Sequence, residues 1–208
     1  MCGIAGILTN DLVPRAWAQK QLSMMQKQIA RRGPDGEGIW IKDHYATAHS
    51  RLAVTGGLSK NASQPIIFCG GRLVLCFNGE IYNYRDLKVI YGLKTAKMKF
   101  GDAEILSLLI EQKGLIEALK LCEGMFAVSL YDVVDGTLYL ARDRFGEKPL
   151  YFGVSNSDGG KVVFGSTISS IFACTQIKKE VAGQSLGTFV LRGFCPEEQL
   201  PWRDIKAV

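Results

Sequence analysis

The 208-residue sequence predicts one α+β domain with antiparallel sheets. Three observations lead there. Short strand-like segments follow one another through tight-turn sequences, Asp135-Gly136 and the run from Asn156 to Gly160, which is the signature of hairpins. Helix-like segments are grouped between the strand runs instead of alternating with them, which argues against a doubly wound parallel sheet. A hydrophobic content of 47% at this length is ample for a substantial core.

Residues 2–8 are apolar throughout and suit a strand buried on both faces. Between residues 14 and 32, Leu22, Met25 and Ile29 recur at helical spacing, and Gly33-Pro34 closes the pattern. Residues 38–42, 45–50 and 73–77 read as strands separated by turn formers such as Gly56-Gly57. A second helix is predicted over residues 102–112, with Asp102 as its cap and Ile105, Leu108, Leu109 and Gln112 on one side. Gly114 stops it, and a further helix covers residues 115–121. Four more strands follow at 125–132, 137–142, 150–154 and 161–164. Residues 177–208 are weakly patterned, and Pro196-Glu197-Glu198 with Pro201 suggests a chain leaving the domain.

Twenty-five Lys and Arg against twenty Asp and Glu give a net charge of +5, spread in singles and pairs. Neither nucleic-acid nor membrane binding is supported by such a distribution. No apolar run approaches a bilayer span and no secretory signal opens the chain, so the expected location is the cytoplasm. The six cysteines, Cys2, Cys69, Cys76, Cys122, Cys174 and Cys195, show no metal-site spacing and read as reduced thiols.

Cys2 stands apart by position. Removal of Met1 would leave it with a thiol and a free α-amine, whose ordinary pKa of about 7.7–8 lets it act as a base near neutrality. By residue type alone, a buried strand cysteine is the commoner outcome. The competing Cys/His arrangement has only His44 and His49 to draw on, and both read as structural or orienting. Three further groups carry chemistry. Asn78-Gly79-Glu80 could offer a side-chain amide and a bare glycine N–H to an oxyanion, although Asn-Gly is also a turn dipeptide and Glu80 could be a solvated charge. Arg51 has the fork for a carboxylate, or is a packing residue. Asp102 could hold an ammonium group while capping its helix. Together they would grip both ends of a zwitterionic amino acid and set its side chain against a thiol, and glutamine carries the amide to be attacked.

The strings MCGIAGI at the start, RGPDGEG at 32–38, HSRLAV at 49–54, FNGEIYNY at 77–84, GDAE at 101–104 and ARDRFGEKPLY at 141–151 resemble the class II glutamine amidotransferases. Within that class they resemble the glutaminase domain of asparagine synthetase, in order over residues 2–170. The resemblance implies the N-terminal-nucleophile hydrolase fold, a four-layer αββα sandwich of two antiparallel sheets. It implies Cys2 as nucleophile and Asn78 with the Gly79 N–H as oxyanion hole. Arg51 would take the glutamine α-carboxylate, Leu52, Ala53, Val54 and Thr55 would line the pocket, and Glu80 and Asp102 would hold the α-amino end.

The implied reaction releases ammonia and glutamate through a thioester, with no metal or cofactor for this half. ATP and magnesium belong to a synthetase domain that the sequence does not contain. The expected partners are L-glutamine and that synthetase domain, in cis or in trans, with a homodimer left open. Residues 1–175 would form the glutaminase core and 176–208 an extension resembling the connection to the synthetase half. Arg31 departs from the family, which usually has His before Arg-Gly-Pro-Asp. The rival readings are glutaminase domains serving other acceptors, including glucosamine-phosphate and purine synthesis, and a docking module that keeps the fold without catalysis. Retention of every expected chemical group argues against the last.

Overall fold

A computed structural model describes residues 1–54, 64–94, 101–155, 160–174, 177–196 and 199–208. Its strands are β1 (Gly3–Thr9), β2 (Gly36–Lys42), β3 (Tyr45–Arg51), β4 (Ile66–Phe68), β5 (Leu73–Ile81), β6 (Gly124–Asp132), β7 (Thr137–Arg142), β8 (Tyr151–Ser155), β9 (Lys161–Gly165) and β10 (Ile205–Ala207). The helices are α1 (Arg15–Ile29), α2 (Tyr84–Ile90), α3 (Asp102–Lys113), α4 (Leu115–Leu121), α5 (Ile168–Ala173) and α6 (Gly183–Arg192). A 3-10 turn, Ala30–Arg32, continues α1, and another, Cys69–Gly71, follows β4. The turns expected at Gly56-Gly57 and from Asn156 to Gly159 lie outside the described residues.

The strands form two antiparallel sheets, of order β10-β8-β9-β1-β3-β2 and β4-β5-β6-β7. Because side chains alternate across a strand, three cores result. Ala5, Ile7, Ala46, Ala48 and Val163 face Leu22, Met25 and Ile29 of α1 and Ile171 of α5. Leu75, Phe77, Val128 and Leu130 face Ile105, Leu106 and Leu109 of α3. The opposite faces, with Ile4, Tyr45, Val74, Cys76, Ala127, Tyr131 and Phe164, meet between the sheets. There the Tyr45 and Tyr131 rings stack with centroids 4.3 Å apart. Helix, sheet, sheet and helix make the four layers expected.

Three sequence expectations change. Asn78-Gly79 does not end its strand: β5 runs on to Ile81, with Gly79 opposite Phe126 of β6. A Cβ at Gly79 would stand 2.2 Å from the Met125 carbonyl, so glycine serves close strand approach here and not a turn. Asp102 is the first residue of α3 and not its cap; Gly101, at φ +63°, occupies the cap position. Part of the chain after residue 176, expected to lead away, returns to the domain. Ile205–Ala207 pairs with β8 at the edge of the larger sheet, and Ile177 and Ile205 join the α1-side core.

Candidate active site

Strand periodicity assembles one end of the sandwich. Cys2 precedes β1 on the same alternation as Ile4 and so turns toward the space between the sheets, where β3 brings His49 and Arg51 and β5 brings Asn78. A cavity of about 510 Å³ opens there. Cys2, Arg51, Leu52, Val54, Asn78, Gly79, Glu80 and Asp102 all line it. Thr55 lies outside the described residues, and the Ala53 N–H is turned away, donating to Asp35 Oδ2 at 2.8 Å.

The Cys2 thiol meets the Leu52 peptide twice: the Leu52 N–H donates to sulfur at 3.4 Å, and sulfur lies 3.6 Å from the Leu52 carbonyl. Burial pushes the thiol pKa above its ordinary value; the Leu52 N–H, the terminal ammonium and Arg51 pull it back, and Asp102 adds to the rise. The Cys2 carbonyl accepts from Arg32 Nε at 3.0 Å. Asn78 is 1% exposed, and among the described residues its Nδ2 donor has no hydrogen-bond partner. A buried donor left unbonded costs about 1–3 kcal/mol, so this amide is held for a ligand oxygen or a water.

Asp102 is buried, and its Oδ2 accepts the Ile81 N–H at 2.9 Å, tying the start of α3 to the end of β5. Glu80 on β5 and Glu104 on α3 add carboxylates to the same wall, while Arg51 and Lys148 supply cationic groups. The cavity therefore offers charges of both signs to a zwitterion. His49 is wholly buried, with Nε2 3.2 Å from the Phe77 carbonyl. Burial lowers its pKa to about 4, partly offset by the Phe77 contact and reinforced by Arg51, so it is neutral at physiological pH. His44 sits beyond the far end of β3 from Arg51 and takes no part.

Several residues here carried no role in the sequence reading. Within RGPDGEG, Arg32 holds the Cys2 carbonyl, and Asp35 bonds the main chain on both sides of Leu52, its N–H to the Arg51 carbonyl at 2.9 Å and its carboxylate to Ala53. Lys148 reaches the cavity on a loop knotted by Asp143, which accepts the backbone N–H groups of Phe126, Phe145, Glu147 and Lys148. The strings containing them were legible as motifs; the contacts were not. Gln64 and Glu104 also line the cavity. Arg31 is exposed and is not among the lining residues. Among the described residues no cluster of three or more His, Cys, Asp or Glu is placed to hold a metal ion, and no helix is long and apolar enough to cross a membrane.

Comparison with known proteins agrees with this geometry. A glutamine amidotransferase domain profile matches residues 1–208. A putative glutamine-hydrolysing asparagine synthetase of Methanocaldococcus jannaschii is 32% identical over 94% of this chain and 40% of its own length. Asparagine synthetase B of Escherichia coli is 33% identical over 89% of the chain and 33% of its length, and asparagine synthetase 1 of Saccharomyces cerevisiae 35% over 82% and 29%. The chain thus spans less than half of these relatives. The solved structure of Bacillus subtilis glutamine phosphoribosylpyrophosphate amidotransferase superposes with a TM-score of 0.64 over 86% of this chain and 45% of that one, at 20% identity, which establishes the shared fold. With the profile matched end to end over a sandwich of that fold, the chain belongs to the class II glutamine amidotransferase domain family.

Proposed function

We propose that this chain hydrolyses the side-chain amide of L-glutamine to L-glutamate and ammonia through a thioester on Cys2. The observation that carries the reading is the buried Asn78 Nδ2 donor, without a partner among the described residues, on the same cavity as the Cys2 thiol. In this reading the thiol is the nucleophile and the amide its oxyanion donor, and the charged groups lining the same cavity serve the two ends of the amino acid.

In this reading Met1 is removed and the Cys2 α-amine takes the thiol proton. The thiolate adds to the side-chain carbonyl carbon, and the developing oxyanion is bonded by Asn78 Nδ2 and the Gly79 N–H. The intermediate collapses, the C–N bond breaks, and the α-ammonium returns its proton to the departing nitrogen as ammonia. Water, deprotonated by the same amine, then cleaves the thioester to glutamate and frees the thiol. Arg51 binds the α-carboxylate, Glu80 and Asp102 the α-ammonium, and Leu52 and Val54 form the wall between them. No metal or cofactor enters this half-reaction.

The ammonia serves an ATP- and magnesium-dependent synthetase, in cis or in trans, that amidates aspartate to asparagine in the cytoplasm. Support for that acceptor comes from the asparagine synthetases among the relatives, each much longer than this chain. The test is glutamate production by protein whose intact mass shows loss of Met1. Cys2→Ala is expected to abolish it while leaving the circular dichroism spectrum unchanged. Undiminished glutamate release by that variant would overturn the assignment.

A further inference from the structure

The short strand β4 pairs with β5 so that Ile66 faces Leu75, Ile67 faces Val74 and Phe68 faces Leu73. Carrying that register two residues further puts Gln64 opposite Phe77, one residue before Asn78. The backbone ladder has ended by then. Pro65 has no N–H to offer, and the Gln64 carbonyl has turned to the other sheet, where a Cβ on Gly38 would stand 1.8 Å from it. The Gln64 side chain takes over the missing rung: its Oε1 accepts the Phe77 N–H at 2.6 Å. From the opposite sheet, His49 Nε2 meets the Phe77 carbonyl at 3.2 Å. Both side chains are buried. Because His49 is neutral and its Nε2 faces a carbonyl, Nε2 carries the proton and donates.

We propose that Gln64 and His49 are positioning residues that fix the Asn78 amide on the oxyanion by clamping both main-chain polar groups of Phe77. The clamp rests on the oxyanion reading of Asn78. Its physical need is specific: among the described residues β5 has no backbone partner on this edge at Phe77, and an oxyanion donor must sit within a few tenths of an ångström of its 2.7–3.1 Å bonding distance. A strand held only by β6 would let Asn78 swing, and the loss would fall on the transition state while ground-state glutamine binding, made elsewhere, stayed intact.

The test is steady-state glutaminase kinetics on paired variants of the full chain. Gln64→Met keeps length and loses the acceptor; kcat is expected to fall roughly 10- to 100-fold with KM within about threefold. Gln64→Glu keeps an oxygen for the Phe77 N–H and is expected to restore most of kcat. His49→Leu and His49→Gln form the matching pair, since the Gln amide can replace the Nε2 donor. In an Asn78→Ala background, Gln64→Met should cost no more than about a further twofold, because the group it positions is gone. An equal loss in both backgrounds, a rise in KM alone, or failure of Gln64→Glu to rescue would overturn the clamp. Asn78→Ala with undiminished kcat would instead sink the oxyanion reading itself. Should Gln64→Met not fold, the His49 pair carries the test: His49→Leu is expected to lose kcat at little changed KM and His49→Gln to regain most of it, and a loss that His49→Gln does not recover would overturn the clamp.

Discussion

The sulfur of Cys2 lies 3.4 Å from the backbone nitrogen of Leu52, on the strand end that also carries Arg51. One contact therefore joins the nucleophile to the segment that recognises the substrate. An N–H pointing at sulfur stabilises the thiolate over the thiol, and Arg51 adds charge of the same effect, yet burial outweighs both and leaves the thiol pKa raised. With Met1 in place, Cys2 is therefore a protonated thiol and not a standing thiolate.

The sign of this shift gives a direct prediction. In protein that retains Met1, the rate of Cys2 alkylation by iodoacetamide should climb about tenfold per pH unit from pH 6 to 8, since the thiolate fraction does so below the thiol pKa. Mass spectrometry of the N-terminal peptide measures it, and saturating glutamine should protect. A rate that is level across that range would show a thiolate already formed and contradict the burial argument.

The two ends of the substrate can be separated by kinetics. Arg51→Ala is expected to raise KM roughly tenfold to a hundredfold with little change in kcat, because a charged hydrogen bond of about 1.5–3 kcal/mol is made equally in ground and transition states. Asp102 has a second duty, accepting the Ile81 N–H at 2.9 Å. Asp102→Asn keeps an acceptor there, so it should raise KM at unchanged melting temperature, whereas Asp102→Ala should lower both affinity and Tm. Equal Tm losses in the two Asp102 variants would mean that charge, and not the bond to β5, anchors α3.

What was legible in the sequence followed from period. Strand-like segments bounded by turn formers located β3, β6 and β7 closely, and period two is what lets Cys2, Arg51 and Asn78 share the inter-sheet space once the strands are stacked. Local pattern failed where a residue serves a partner distant in sequence. Asn78-Gly79 looks like a turn because nothing nearby reveals that Gly79 must admit the Met125 carbonyl. Asp102 looks like a cap because Ile81, its actual partner, is 21 positions away. Gln64 was invisible for the same reason: its role follows from the register of a three-residue strand. α2 escaped because only Leu87 along its length is buried, too little for a period to show.

The loop that brings Lys148 to the cavity depends on one carboxylate. Asp143 Oδ1 accepts the Phe145 and Glu147 N–H groups at 3.1 and 2.9 Å, and Oδ2 those of Phe126 and Lys148 at 3.2 and 3.1 Å. Burial alone would push its pKa up, but the donors at Glu147, Lys148, Phe126 and Phe145 together hold it below the ordinary carboxylate value. The folded value thus lies below the unfolded one, so the stability it contributes is complete above the unfolded pKa of about 3.9 and drains away as pH falls through the folded value. Asp143→Ala should therefore cost about 3 kcal/mol in urea unfolding at pH 7, from the buried N–H groups of Phe126 and Lys148 and the half-buried ones of Phe145 and Glu147 losing an acceptor at once. The gap between variant and parent should narrow when both are unfolded at about pH 2.5, well below the unfolded pKa of about 3.9. A difference that stays constant between the two pH values would show that the loop is held by packing, with the charge on Asp143 contributing nothing.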